Sequence, residues 1–148
     1  MNKNLDKLTD LHKKNLIEIV DLKNKLESSI QEGHDLFLNI VLDIIDVIDT
    51  FEKAEEVILD KGLGKAEGGS KIMERYKSVN KKLNNILHKH GITKIEFPEN
   101  RLIVGFCKVV DTEPDPAYPN DTIISIVRNG YHRGKELIRE SEVIIVKN

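Results

Sequence analysis

The sequence predicts an α+β protein: long paired dimerisation helices with a helical bundle, followed by a small carboxy-terminal all-β domain. Three observations lead there. Residues 5 to 59 form one helical pattern without proline and with a single glycine, Gly33. From Ile92 the apolar runs shorten and turn formers separate them. Between these regions the charge reverses: residues 32–60 carry one basic and nine acidic side chains, and residues 71–89 carry six basic and one acidic. The expected divisions are a long dimerisation helix over 1–61, a loop and second bundle helix over 62–91, and a β-domain over 92–148.

In the first helix, Ile19, Leu22, Leu26, Ile30, Phe37, Val41, Ile44 and Ile48 recur at steps that keep a narrow stripe on one face. Leu26, Phe37 and Ile48 are spaced by eleven, a repeat that coils weakly right-handed if at all. At the helical rise such a stretch would extend about 80 Å, well beyond the ~30 Å of a small domain. A chain of 148 residues cannot bury that stripe alone, so these eight residues are expected to form the interface of a homodimer. Near the start, His12 and Asn15 interrupt the seam begun by Leu5 and Leu8, which predicts a marginal amino-terminal arm. After Leu36 the apolar arc widens, as expected of a helix that packs on several neighbours.

Asp43, Asp46 and Asp49 share part of a helix face, but no His or Cys completes a ligand set. They read as a solvated acidic face, and no metal or cofactor is expected. Residues 62–70 are glycine-rich but lack the Gly-Lys-Ser/Thr of a phosphate loop and read as a connection. A second helix is predicted over 70–90, with Ile72, Tyr76, Val79, Leu83 and Ile86 on one face and Gly91 as its left-handed cap. Its basic side chains should face the acidic half of the first helix. His88 and His90 point to different sides and read as solvated residues near the negative helix end. Strands are expected in Ile92–Phe97, Leu102–Val110, Thr122–Val127, Glu136–Ile138 and Val143–Val146, divided by Pro98, Pro114, Pro116, Pro119, Gly130 and Gly134.

The composition excludes several classes of function. A formal charge of −2 argues against a nucleic-acid binder held by charge. The lone Cys107 sits in an apolar run, reads as an inert core thiol and points to a reducing compartment. No apolar leader or membrane-length run is present, so a cytoplasmic protein without membrane or nucleic-acid partners is expected. No nucleophile–base group or carboxylate pair suggests an enzyme.

The carboxy-terminal pattern is more specific. Gly130-Tyr131, Lys135, Ile138-Arg139, Ser141, Val143 and Ile145 resemble the signature of the GrpE family, nucleotide-exchange factors of DnaK-type chaperones. The segment from Ile44 to Ala54 is similar to that family's leucine-rich helix segment. The segment from Leu83 to Gly91-Ile92 is similar to its closing helix. Three positions depart: Asp46 stands where a helix proline is common, residues 97–106 only echo a family motif, and Glu136 replaces a frequent arginine. The resemblance implies a homodimeric heat-shock co-chaperone whose β-domain opens the nucleotide-binding cleft of a DnaK-type chaperone and releases ADP. It implies partner contacts at Arg133, Lys135, Glu136, Arg139 and Ile145, with Arg139 equally readable as a structural arginine and Tyr131 as core. The alternative is a dimeric coiled-coil scaffold or adaptor that keeps the fold without exchange activity.

Overall fold

A computed structural model of the chain describes residues 3–63 and 68–148; residues 64–67 of the expected connection lie outside the described residues. The chain divides into two compact units, Met1–Ile40 and Val41–Asn148. Helix α1 runs Lys3–Asp60, as its uninterrupted pattern predicts, and stops where Gly62 turns left-handed at φ 64°. Helix α2 is Gly69–Lys89, and Gly91 closes it at φ 75°. There the amides of His90 and Gly91 bond to the carbonyls of Leu87 and His88.

The first unit is helical throughout its described part, and no residue of 4–40 is buried. Ile19, Leu22, Leu26 and Ile30 are between 58% and 63% exposed. Side-chain pairs four residues apart, Lys23–Glu27, Ser28–Glu32 and Gln31–Asp35, line its surface. Phe37 is half-buried.

In the second unit α1 changes character. Val41, Ile45 and Ile48 are buried, at the four- and three-residue steps of one face. Val41 and Ile48 were expected in the intermolecular seam. Their burial is instead met within the chain, because α2 and the β-domain fold onto this part of α1; Ile44 is half-buried. The Phe51 and Tyr76 rings meet edge to face at 5.3 Å. The Lys77 ammonium lies 3.3 Å from the Glu55 carboxylate, joining the basic helix to the acidic one. On α2, Met73 and Leu87 are buried, whereas His88 and His90 are exposed.

The β-domain holds two three-stranded sheets. One has the order β1-β4-β5, made of β1 (Ile92–Lys94), β4 (Tyr131–Arg133) and β5 (Glu136–Arg139), all antiparallel. The other has the order β2-β6-β3, made of β2 (Cys107–Glu113), β3 (Ile123–Arg128) and β6 (Ser141–Val146). In it β6 pairs parallel with β2 and antiparallel with β3. Its core joins Ile123, Val143 and Ile145, covered by Phe97, Leu102 and Cys107. The Cys107 thiol donates to the Ile103 carbonyl at 3.3 Å.

Two strand expectations are corrected. Leu102–Phe106 is not strand: Gly105 turns left-handed at φ 83°, and the Phe106 amide closes a turn on the Ile103 carbonyl. That bend lets Leu102 cover the core from outside the ladder. Secondly, β1 stops at Lys94, ahead of the short 3-10 turn Pro98–Asn100. No described helix is long and apolar enough to cross a membrane.

Candidate functional site

The hairpin between β4 and β5 presents the expected contact residues. Arg133 pairs with Glu136 across a two-residue turn, Gly134-Lys135, with Gly134 at φ 58°, a sign that glycine adopts without strain. Arg133 and Lys135 are exposed and Glu136 is half-buried. The base of the hairpin is anchored by His132. Its Nδ1–H donates to the Gly134 carbonyl at 3.0 Å, and its Nε2 lies 3.1 Å from the Thr93 hydroxyl on β1. The Phe106 ring stands edge-on against the imidazole. Three side chains of mixed charge are thus carried on a hairpin whose base is fixed on both sides.

Ile145, expected at the surface, lies in the core at 6% exposure. The reason is period two: β6 directs Val143 and Ile145 to one face, and that face is the interior of its sheet. Tyr131 is buried, as expected, beneath the Arg139 guanidinium 5.5 Å from its ring centre. Burial, then the nearby Glu52 and Asp49 carboxylates, push its phenol well above the usual range.

Arg139 is committed inside the chain. It donates from Nη1 to Asp49 Oδ2 at 2.7 Å and from Nη2 to Asp49 Oδ1 at 2.9 Å, the two-pronged geometry of a guanidinium on a carboxylate. It also donates to the Asn129 carbonyl. Arg128 reaches the same place from the other sheet, with Nε 2.7 Å from Asp49 Oδ2 and Nη2 2.7 Å from Asp46 Oδ1. One turn further along α1, Glu52 accepts from Lys94 and, at 2.9 Å, from the Asn129 side-chain amide. The expectation of a solvated acidic face is therefore corrected for Asp49, whereas Asp46 stays exposed while accepting from Arg128. Their helix face meets the β-domain, and the Asp49 side chain is only 11% exposed. Asp43 is exposed, as expected. Burial raises the Asp49 pKa, but hydrogen bonds from Arg139 and Arg128, together with their charges, outweigh it and hold the carboxyl below its ordinary 3.8. The same bond to Asp49 raises the Arg128 pKa against its own desolvation.

Sequence reasoning missed this cluster. Its signal was the acidic row Asp46, Asp49, Glu52, Glu55 at three-residue spacing, together with an arginine closing each of two apolar strands. Among the described residues, no group of three or more His, Cys, Asp or Glu is placed to hold a metal ion.

A long helix, a shorter second helix and a terminal two-sheet domain bearing an exposed hairpin define a helix-plus-β-domain class. The chain belongs to the GrpE family, whose model matches residues 1–147. It is 22% identical to Protein GrpE of Rhodopseudomonas palustris (strain TIE-1) over 89% of this chain and 65% of that protein. It is 24% identical to Protein GrpE of Bradyrhizobium sp. (strain ORS 278) over 71% of this chain and 52% of that protein. With Protein GrpE of Nitrobacter winogradskyi, identity is 21% over 99% of this chain and 76% of that protein. The chain thus spans between about half and two-thirds of the first two relatives' length.

Proposed function

We propose that this chain is a GrpE-type co-chaperone: a homodimeric adenyl-nucleotide exchange factor, not itself an enzyme, acting on a DnaK-type chaperone. The observation that carries this reading is the family match over nearly the whole chain, joined to the helix-plus-β-domain architecture. The β-domain would contact the chaperone's nucleotide-binding domain through Arg133, Lys135 and Glu136, which share the exposed hairpin. Ile145 and Arg139 drop out of that set because one is core and the other is held by Asp49. The physical principle is linkage. A protein that prefers the open cleft weakens nucleotide binding by the factor by which nucleotide weakens its own binding. No bond is broken.

Dimerisation is supported by the row Ile19, Leu22, Leu26 and Ile30, which lies open along the first unit. Covering such side chains is worth roughly 1.5–3 kcal/mol each, so several per chain can offset the entropy lost on association. Residence in the cytoplasm accords with the partner proposed.

The test is the release of a fluorescent ADP analogue from the DnaK-type chaperone of the same organism. Acceleration by this chain is the expected result. Tight binding without acceleration would favour the scaffold reading, for which the departure at Glu136 is the motivating feature. Within the hairpin, Arg133→Ala with Lys135→Ala should slow the stimulated release at least about tenfold, and Glu136→Ala should change it little; the reverse pattern would reassign the contact to Glu136.

A further inference from the structure

Asp49 is the point at which α1 meets both sheets. Its carboxylate takes Arg128 from the end of β3, in the β2-β6-β3 sheet, and Arg139 from the end of β5, in the β1-β4-β5 sheet. Flanking contacts extend the joint along the helix: Asp46 to Arg128 on one side, Glu52 to Lys94 and Asn129 on the other. A lone ion pair is a pivot. Contacts at successive positions along one helix, received by strands of two different sheets, also remove rotation. The arginines bring rigid planar forks rather than point charges, and Arg139 is 13% exposed, so water competes little for its bonds to Asp49. Nothing in the hairpin itself requires this arrangement.

We propose that Asp49, with Arg128 and Arg139, is a positioning node that locks both sheets to α1 and thereby sets how strongly the β-domain discriminates between open and closed chaperone clefts. The proposal rests on the exchange reading above. Discrimination requires a stiff joint. A β-domain that can rock on α1 follows the cleft as it closes, keeps its contacts in both states, and loses the differential affinity that drives nucleotide out. Loosening the node therefore lowers the maximal rate of release while leaving the affinity for the ADP-bound chaperone nearly intact. Loss of a hairpin contact does the opposite to affinity.

The experiment uses the full chain and two readouts. In the first, stopped-flow release of fluorescent ADP is titrated with wild type and with Asp49→Asn, which keeps shape and removes charge. The expected result is a maximal rate lowered at least about tenfold, with the binding constant changed less than about threefold. In the second, spin labels on Val57→Cys in α1 and Ile124→Cys in β3, both exposed sites, report the joint on a Cys107→Ser background. With labelled chain diluted in excess unlabelled chain, so that a dimer carries one labelled protomer, wild type should give one narrow distance distribution and Asp49→Asn a broad one. Should Asp49→Asn fail to fold, Arg128→Gln, which leaves the Arg139–Asp49 pair in place, is expected to give the same pattern at smaller amplitude. An unchanged distance distribution overturns the node. A parallel loss of affinity and rate, with a broad distribution, also overturns it as a positioning device and makes it a contact. A wild-type chain that binds without accelerating release overturns the exchange reading and the rate claim with it, and the label distances then decide the node alone.

Discussion

Gly130 leaves no room for a side chain. A Cβ there would lie 2.5 Å from the Ser141 amide nitrogen and 2.6 Å from the Ile95 methyl. The Gly130 amide donates to the Ser141 hydroxyl, and its carbonyl receives the Ile95 amide. Gly130→Ala should therefore destabilise the β-domain by about 3 kcal/mol, through overpacking and loss of buried hydrogen bonds, as urea unfolding would measure. Asp49 supplies a pH prediction. Its folded pKa is depressed below 3.8, so its contribution is fully present above the unfolded value and is lost as pH falls below about 4 through the folded value. Asp49→Asn should be less stable than wild type at pH 7 by about 3 kcal/mol, since it leaves arginines without their carboxylate. The gap should narrow on acidification, and a constant gap from pH 7 to pH 2 would contradict it. At this scale the sequence was only partly readable. Tyr131 showed its buried surroundings through apolar neighbours, and Cys107, read as a core thiol, is half-buried against the core. Asp49 looked solvated because its partners lie 79 and 90 residues away.

Among the elements, the two helices could be read almost to their ends, because period and glycine caps are local signals. Gly33 lies inside α1, and a Cβ placed there would meet nothing within 4 Å. Gly33→Ala should stabilise the helix by roughly 0.5–1 kcal/mol, seen as a higher melting temperature by circular dichroism at 222 nm. A decrease would mean that a second helix approaches closely at that position. Strand β4 escaped detection because Tyr131-His132-Arg133 is too short to show alternation, and Leu102–Phe106 read as strand because an apolar run does not reveal its backbone. What decides both cases is tertiary: a histidine bridge to β1, and a glycine turn beneath the core.

For the molecule as a whole, the order of helices and β-domain was legible, whereas how α1 divides its labour was not. The same stripe runs through both units, yet Ile19 to Ile30 is open and Val41 and Ile48 are buried by the chain itself. A periodic pattern states which face is apolar, not who covers it. We expect Ile30→Asp to convert a dimer into a monomer at micromolar concentration in equilibrium sedimentation, with the β-domain's near-ultraviolet signal unchanged. Wild type sedimenting as a monomer would remove the homodimer from the proposal. Since residues 4–40 contain nothing buried, the paired arms should also melt in a transition separate from that of residues 41–148, visible as two calorimetric peaks.

The place of β6 has a further consequence during synthesis. It follows β2 and β3 in chain order but lies between them, parallel to one and antiparallel to the other. A ribosome therefore releases two edge strands that have no ladder partner in that sheet until β6 emerges. Over that interval Val109, Val110, Ile124 and Ile126 are exposed on unpaired backbone, with Lys108, Asp111 and Glu113 as the charges that discourage strangers from pairing. Under the co-chaperone role proposed, the nascent protein would itself be a chain of the kind chaperones hold.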